Sequence, residues 1–253
     1  MIPLAKKSLG QNFLTDKPMI GKIMEAVSPK KESIILEIGP GRGALTLPLL
    51  ESGCRLSCIE LDRVLAEHWR SREALYPGFR CIEGDAVKLD WSPYLPCDIC
   101  VGNIPYHISR PLMYKFFSYR RAIKEAVIMV QKEFAEKLLA SPGDKAYGIV
   151  SVLTQCFCDP RYLFSVPPSV FSPPPKVTSA CVRLTFKRTD TENDALLIRL
   201  VQTAFAQRRK VLTNSLKEFY DKDANDRELW LKRADGLRPE EYLALTREIA
   251  ARS

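Results

Sequence analysis

Between residues 34 and 139 the chain alternates short, mainly apolar runs with helical segments, and no other feature limits its fold so tightly. The runs are Ile34-Ile-Leu-Glu-Ile38, Arg55-Leu-Ser-Cys-Ile-Glu60, Phe79-Arg-Cys-Ile-Glu-Gly84, Cys97-Asp-Ile-Cys-Val101 and Ala126-Val-Ile-Met-Val130. Runs this short suit strands of a covered parallel sheet rather than helices. Residues 44–52, 63–75, 111–119 and the stretch ending at Leu139 read as helices. A further amphipathic helix over 19–27 is opened by Asp16 as N-cap and Pro18 in the first turn. Strand and helix in alternation predict a mostly parallel sheet with helices on both faces, an α/β architecture.

The pattern changes near residue 160. Pro167, Pro168, Pro173, Pro174 and Pro175 lie between two strand-like segments, Tyr162–Val166 and Thr178–Phe186. After Lys187 the chain reads as helical and polar. Over 199–220, Val201, Phe205, Leu212, Leu216 and Phe219 fall close to one helical face. The expected organisation is therefore a Rossmann-like α/β domain over 1–186 and a small all-helical domain over 187–253.

A composition of 46% hydrophobic and 27% charged residues is that of a soluble globular protein. No apolar run is long enough for a membrane span. Met1–Lys7 lacks the apolar core of a secretory signal. A cytoplasmic protein with eight reduced cysteines is expected. Cys97 and Cys100 have metal-ligand spacing, but His68 and His107 are the only histidines and no second cysteine pair lies near, so no metal is expected. Without an obvious oligomerisation segment, a monomer is expected.

The net charge of +8 favours a nucleic acid partner. It gathers in two acid-free stretches. Arg110, Lys115, Arg120, Arg121 and Lys124 are interleaved with Tyr114, Phe116, Phe117 and Tyr119; Arg199, Arg208, Arg209, Lys210 and Lys217 form the second set. Arg208, Arg209 and Lys210 are expected on a helix, free of internal carboxylates and turned to RNA phosphates.

Four motifs carry chemistry. Leu36-Glu-Ile-Gly-Pro-Gly-Arg-Gly-Ala44 places Gly39, Gly41 and Gly43 between a strand and a helix, where ligands of open α/β sheets bind. Glu60, ending the next strand, can accept hydrogen bonds from two ribose hydroxyls. Asp85 after the third strand can accept one from an adenine amine. These three suit any nucleoside cofactor. Gly102-Asn-Ile-Pro-Tyr106 narrows the choice. The exocyclic nitrogen of adenine is a poor nucleophile because its lone pair is delocalised. Acceptors on its two N–H bonds, the Asn103 side-chain oxygen and the Ile104 carbonyl, would localise that pair and aim it at an electrophilic methyl. Pro105 stiffens the turn and Tyr106 offers a stacking face.

In these motifs the chain resembles the ribosomal RNA adenine dimethyltransferase family, KsgA type, along nearly its whole length. Ser8-Leu-Gly-Gln-Asn-Phe-Leu14 is similar to the family's N-terminal motif, which closes over the cofactor. Gln131–Lys137, Lys145–Gly148, Val170–Ser179 and Ala204–Leu216 are similar to other family segments, although Val211 and Thr213 stand where Thr and Arg are expected. The resemblance implies S-adenosylmethionine as methyl donor. It implies that Asn12, Leu14, Gly39 and Gly41 contact this cofactor, that Glu60 holds its ribose and Asp85 its adenine, and that Asn103 borders both donor and target amine. It implies that Phe171 sandwiches the target adenine opposite Tyr106. It further implies dimethylation of two adjacent adenosines in a hairpin near the 3′ end of small-subunit rRNA, within a ribosomal subunit or its precursor. The rivals are a large-subunit rRNA methyltransferase of the antibiotic-resistance type and a non-catalytic nucleic-acid-binding descendant.

Overall fold

The computed structural model describes residues 5–6, 9–188, 193–220 and 227–252; Met1–Leu4, Lys7 and Ser8 of the segments above lie outside the described residues. Two compact units are present. The first comprises 1–135 and 160–187, the second 136–159 and 188–253. The second unit thus takes in 136–159, which the sequence pattern had placed in the first domain.

In the first unit a short strand β1 (Phe13–Leu14) precedes helix α1 (Lys17–Val27). Asp16 caps α1 by accepting the Met19 N–H, and Ser28, at φ 48°, ends it. Then come β2 (Ile34–Ile38), α2 (Thr46–Glu51), β3 (Arg55–Glu60), α3 (Arg63–Arg70), β4 (Phe79–Glu83), β5 (Cys97–Asn103), α4 (Ser109–Tyr119), β6 (Ile123–Gln131) and α5 (Lys132–Leu139). After α6 (Ile149–Phe157), which belongs to the second unit, come β7 (Cys158–Val166), β8 (Phe171–Ser172) and β9 (Ser179–Phe186).

Among the described residues one sheet has seven strands in the order β4-β3-β2-β5-β6-β9-β7. The pairs from β4 through β6 are parallel, and β6 pairs with β9 antiparallel. Because β2 is flanked by β3 on one side and β5 on the other, a crevice opens at the carboxyl ends of these strands, the usual ligand position of such sheets. Ile35, Leu36, Ile59, Cys100 and Val101 are buried beneath it. Trp69 of α3 packs against the loop after β2, and its indole Nε1 donates to the Gly41 carbonyl at 2.9 Å. Gly43, at φ 90°, lies so close that a Cβ would sit 2.5 Å from the Trp69 ring. Strands β1 and β8 pair antiparallel, Leu14 opposite Phe171, and tie the N-terminal segment to the proline-rich one.

The second unit holds α6, α7 (Asp194–Ala206), α8 (Leu212–Ser215), α9 (Arg227–Leu231) and α10 (Pro239–Ala250). Its core includes Tyr147, Trp230 and Tyr242, with the Tyr147 and Tyr242 hydroxyls donating to the Leu237 and Ala234 carbonyls. The single helical face expected over 199–220 is not formed. Helix α7 stops at Ala206, residues 207–210 turn, and Val211 bridges to Arg233 before α8 begins. The apolar residues Val201, Leu212 and Leu216 are buried from two separate helical pieces and a turn.

Candidate active site

The crevice at the switch between β3, β2 and β5 is a cavity of about 280 Å³. Its walls come from the loop after β2 (Gly39, Gly41), the ends of β3 (Glu60), β4 (Asp85) and β5 (Asn103), the turn after β5 (Ile104, Pro105, Tyr106) and the N-terminal segment (Asn12). Nine of the residues singled out in the sequence thus meet at one site.

At Gly39, φ is 72° and nothing lies within 4 Å of where a Cβ would project, so the loop leaves room for a ligand against its backbone. Glu60 is buried beside it. One carboxylate oxygen accepts the Gly41 N–H at 3.0 Å and the other the Asp62 N–H at 2.8 Å. Burial pushes this carboxyl above its usual range, against the pull of those two N–H groups. A carboxylate offers about four lone-pair sites, so two hydroxyls can still be accepted on the cavity side. Asp85 is fixed by the Val87 N–H on Oδ1 at 2.9 Å, with Lys88 Nζ 3.8 Å from Oδ2. A pair of carboxylates at adjacent strand ends beside an open glycine loop fits the ribose, base and backbone contacts of an adenosine-containing cofactor.

Asn103 ends β5. Its Nδ2 donates to the Asn12 carbonyl at 2.8 Å, which fixes the amide orientation and leaves Oδ1 as the acceptor end. The Ile104 N–H is held by the Met129 carbonyl of β6 at 3.1 Å, so the turn is anchored to the sheet. Pro105 leads into a short 3₁₀ turn over Tyr106–Ile108. Tyr106 is half-buried and its hydroxyl pairs with Ser179 Oγ of β9 at 2.7 Å. Burial pushes the phenol up from its usual value, so the ring presents an uncharged face.

The family model for ribosomal RNA adenine dimethylase matches residues 3–250. The chain belongs to this family. A small-subunit rRNA methyltransferase A of Saccharophagus degradans is 44% identical over 252 residues, covering 96% of this chain and 93% of that protein. One of Chlorobium phaeobacteroides is 42% identical, with 96% and 93% covered. A dimethyladenosine transferase from Plasmodium falciparum superposes with a TM-score of 0.79 at 31% identity, covering 92% of this chain and 95% of that one. The 23S rRNA methyltransferase ErmE gives 0.71 at 25% identity, with 94% and 100% covered. Membership of the dimethylase family makes this chain an S-adenosylmethionine-dependent rRNA adenine methyltransferase, and its α/β sheet is the methyltransferase sheet.

Two residues that the family resemblance brought forward are not on the cavity wall. Leu14 is buried and lines instead a separate cavity of about 40 Å³ with Glu37 and Asn103. Phe171 is only 4% exposed and lies in the same apolar cluster as Leu14 and Trp69. The β1–β8 pairing covers it, so in this structure it offers no face opposite Tyr106.

The basic stretches also differ from expectation. Arg120 is 1% exposed and donates to the Lys187 carbonyl, Lys124 pairs with Asp98, and Phe116 and Phe117 are buried. Core packing thus accounts for Arg120, Phe116 and Phe117, while Arg110, Arg121 and Lys124 stay exposed. Arg208 pairs with Asp235 at 3.0 Å rather than standing clear of internal carboxylates; Arg209 and Lys210 are exposed, on a turn instead of a helix. Cys97 Sγ lies 3.6 Å from Cys100 Sγ, and no group of three or more potential metal ligands forms among the described residues. No helix among them is long and apolar enough to cross a membrane.

Sequence reasoning gave no role to Ser179, Glu37, Asp62 or His107. The last lies on the cavity wall beside Tyr106. Asp62 could have been noticed, since Glu60-Leu-Asp62 places a second acid at a helix start; Ser179, distant from Tyr106 in sequence, could not.

Proposed function

We propose that the chain dimethylates the exocyclic amines of two adjacent adenosines in a hairpin near the 3′ end of small-subunit rRNA, acting in ribosome biogenesis as a cytoplasmic monomer on a subunit or its precursor. The orientation of the Asn103 amide carries the reading: Nδ2 is engaged by Asn12, and Oδ1 is left on a cavity wall that Tyr106 also lines. Small-subunit rather than large-subunit rRNA is favoured by the higher identity to relatives named for the small subunit.

S-adenosylmethionine, when bound, supplies an electrophilic methyl. Glu60 would accept from its ribose hydroxyls, Asp85 from its adenine amine, and the backbone of Gly39 and Gly41, with Asn12, would border the remainder. Asn103 Oδ1 and the Ile104 carbonyl accept the two N–H bonds of the target amine, raising electron density on nitrogen. Pro105 holds these two acceptors in a fixed turn. Tyr106, with its hydroxyl secured by Ser179, stacks on the base. No strong base is needed, because the nitrogen becomes acidic once it carries positive charge. No step calls for a metal. Catalysis is positioning and electrostatics.

Asn103→Ala should cost roughly 10²–10³ in rate at saturating cofactor and RNA, the loss seen when one preorganised partner of a transition state is removed. The assay is methyl transfer to under-methylated small subunits, with large subunits as the comparison. Near wild-type turnover by Asn103→Ala would refute the assigned role, and preference for large subunits would refute the substrate.

A further inference from the structure

Asp62 is buried, carries a charge, and is absent from the cavity wall. It caps α3 by accepting the Val64 N–H on Oδ1 at 3.1 Å. A cap needs only one acceptor, which Ser or Asn would supply as well. The rest of this carboxylate serves the N-terminal segment: Lys6 Nζ donates to Oδ1 at 2.8 Å and Gln11 Nε2 to Oδ2 at 3.2 Å. Burial alone would push the Asp62 carboxyl up, but the Lys6 ammonium, the Gln11 amide and the Val64 N–H hold it below its usual range. Lys6 and Gln11 are themselves joined, the Lys6 N–H donating to Gln11 Oε1 at 2.8 Å.

The next residue after Gln11 is Asn12, whose carbonyl accepts from Asn103 Nδ2. Immediately beyond it, Phe13 and Leu14 pair with β8. Asn12 is therefore bracketed by two anchors, the β1–β8 pairing on one side and Asp62 on the other. The main chain of Asp62 does separate work, since its N–H holds Glu60 Oε1.

We propose that Asp62 is a positioning residue for methyl transfer: through Lys6 and Gln11 it holds the N-terminal segment where the Asn12 carbonyl orients the Asn103 amide, a role that rests on the one proposed for Asn103. Loss of the anchor lets Asn12 move, and the amide of Asn103 then no longer presents Oδ1 uniquely to the target amine. The rate at saturation falls, although Asp62 touches neither donor nor base.

The test is a pair of mutant cycles read as kcat on under-methylated small subunits at saturating cofactor. Asp62→Asn keeps a capping oxygen and removes the charge. Lys6→Met removes the other partner from a half-exposed position, so it remains informative should Asp62→Asn melt early. Each should lower kcat about tenfold, as loss of a hydrogen bond to a buried charge does. The double variant should be no slower than either single one, and Lys6→Arg should recover most of what Lys6→Met loses. In an Asn103→Ala background, Asp62→Asn should lower kcat no further. Multiplicative losses in either cycle would overturn the proposal by making Asp62 a merely structural residue. Wild-type kcat in both single variants, with Asn103→Ala slow, would overturn it alone. A fast Asn103→Ala enzyme would instead remove the reading on which it rests.

Discussion

Glu37 sits two residues before the glycine loop, 1% exposed, with one carboxylate oxygen unpartnered. Burial pushes its carboxyl up to about 8; the neighbouring Thr46 hydroxyl opposes this only in part, and the charge of Glu60 adds to it. Between its ordinary value of 4.5 and about 8 the folded chain holds a proton here that the unfolded chain has released. Stability linked to Glu37 is thus complete below the unfolded value and is lost as pH rises toward 8, with a slope of up to about 1.4 kcal/mol per pH unit. Glu37→Gln keeps the shape and removes the titration. Urea unfolding at several pH values across this window should show a flatter stability profile for the variant. Parallel profiles would mean that Glu37 is charged in the folded chain.

At the scale of elements, the parallel strands were legible because each contains a short, mainly apolar run, and those of β2, β3 and β4 end at a glycine or an acid, as in Ile34–Ile38. The cavity wall was legible for the same reason: its residues sit at strand ends in fixed positions of their motifs. Helix α6 was not. Six of its nine residues are buried, Ser151 and Thr154 of its polar stripe among them, so burial along this short helix does not follow residue polarity. The burial of Phe171 was not legible because its environment depends on β1, some 157 residues earlier in the chain, pairing with β8. That pairing makes a prediction. Phe171→Ala should lose about 3–5 kcal/mol of stability, the usual cost of emptying a buried aromatic site. Phe171→Leu, nearer in volume, should lose under about 1.5 kcal/mol and keep methyl transfer within a few-fold. Denaturant melts and kcat on both variants decide it. A stable Phe171→Leu enzyme slowed a hundredfold would return the ring to the target base.

On the scale of the whole molecule, the basic turn after α7 bears on whether the second unit meets RNA. The sequence pattern treated Arg208, Arg209 and Lys210 alike. In the structure Arg208 is drawn to Asp235 and to the Asp144 carbonyl, whereas Arg209 and Lys210 are exposed. The break between α7 and α8 is what separates them, and it arises from the long-range bridge of Val211 to Arg233, which no local pattern records. If the exposed pair meets rRNA phosphates, Arg209→Ala with Lys210→Ala removes up to two contacts. Affinity for the small subunit should fall, and the slope of log affinity against log salt should become shallower by about one unit per lost contact. Arg208→Ala should leave that slope nearly unchanged, because its charge is already matched within the second unit. S-adenosylhomocysteine binding should be the same in both variants as in the wild type, since the proposed cofactor residues lie in the first unit. Subunit binding over a series of salt concentrations, with calorimetry for the cofactor product, measures both. A salt slope altered by Arg208→Ala but not by the double variant would show that the ion pair with Asp235 opens on RNA and that the exposed pair serves only solubility.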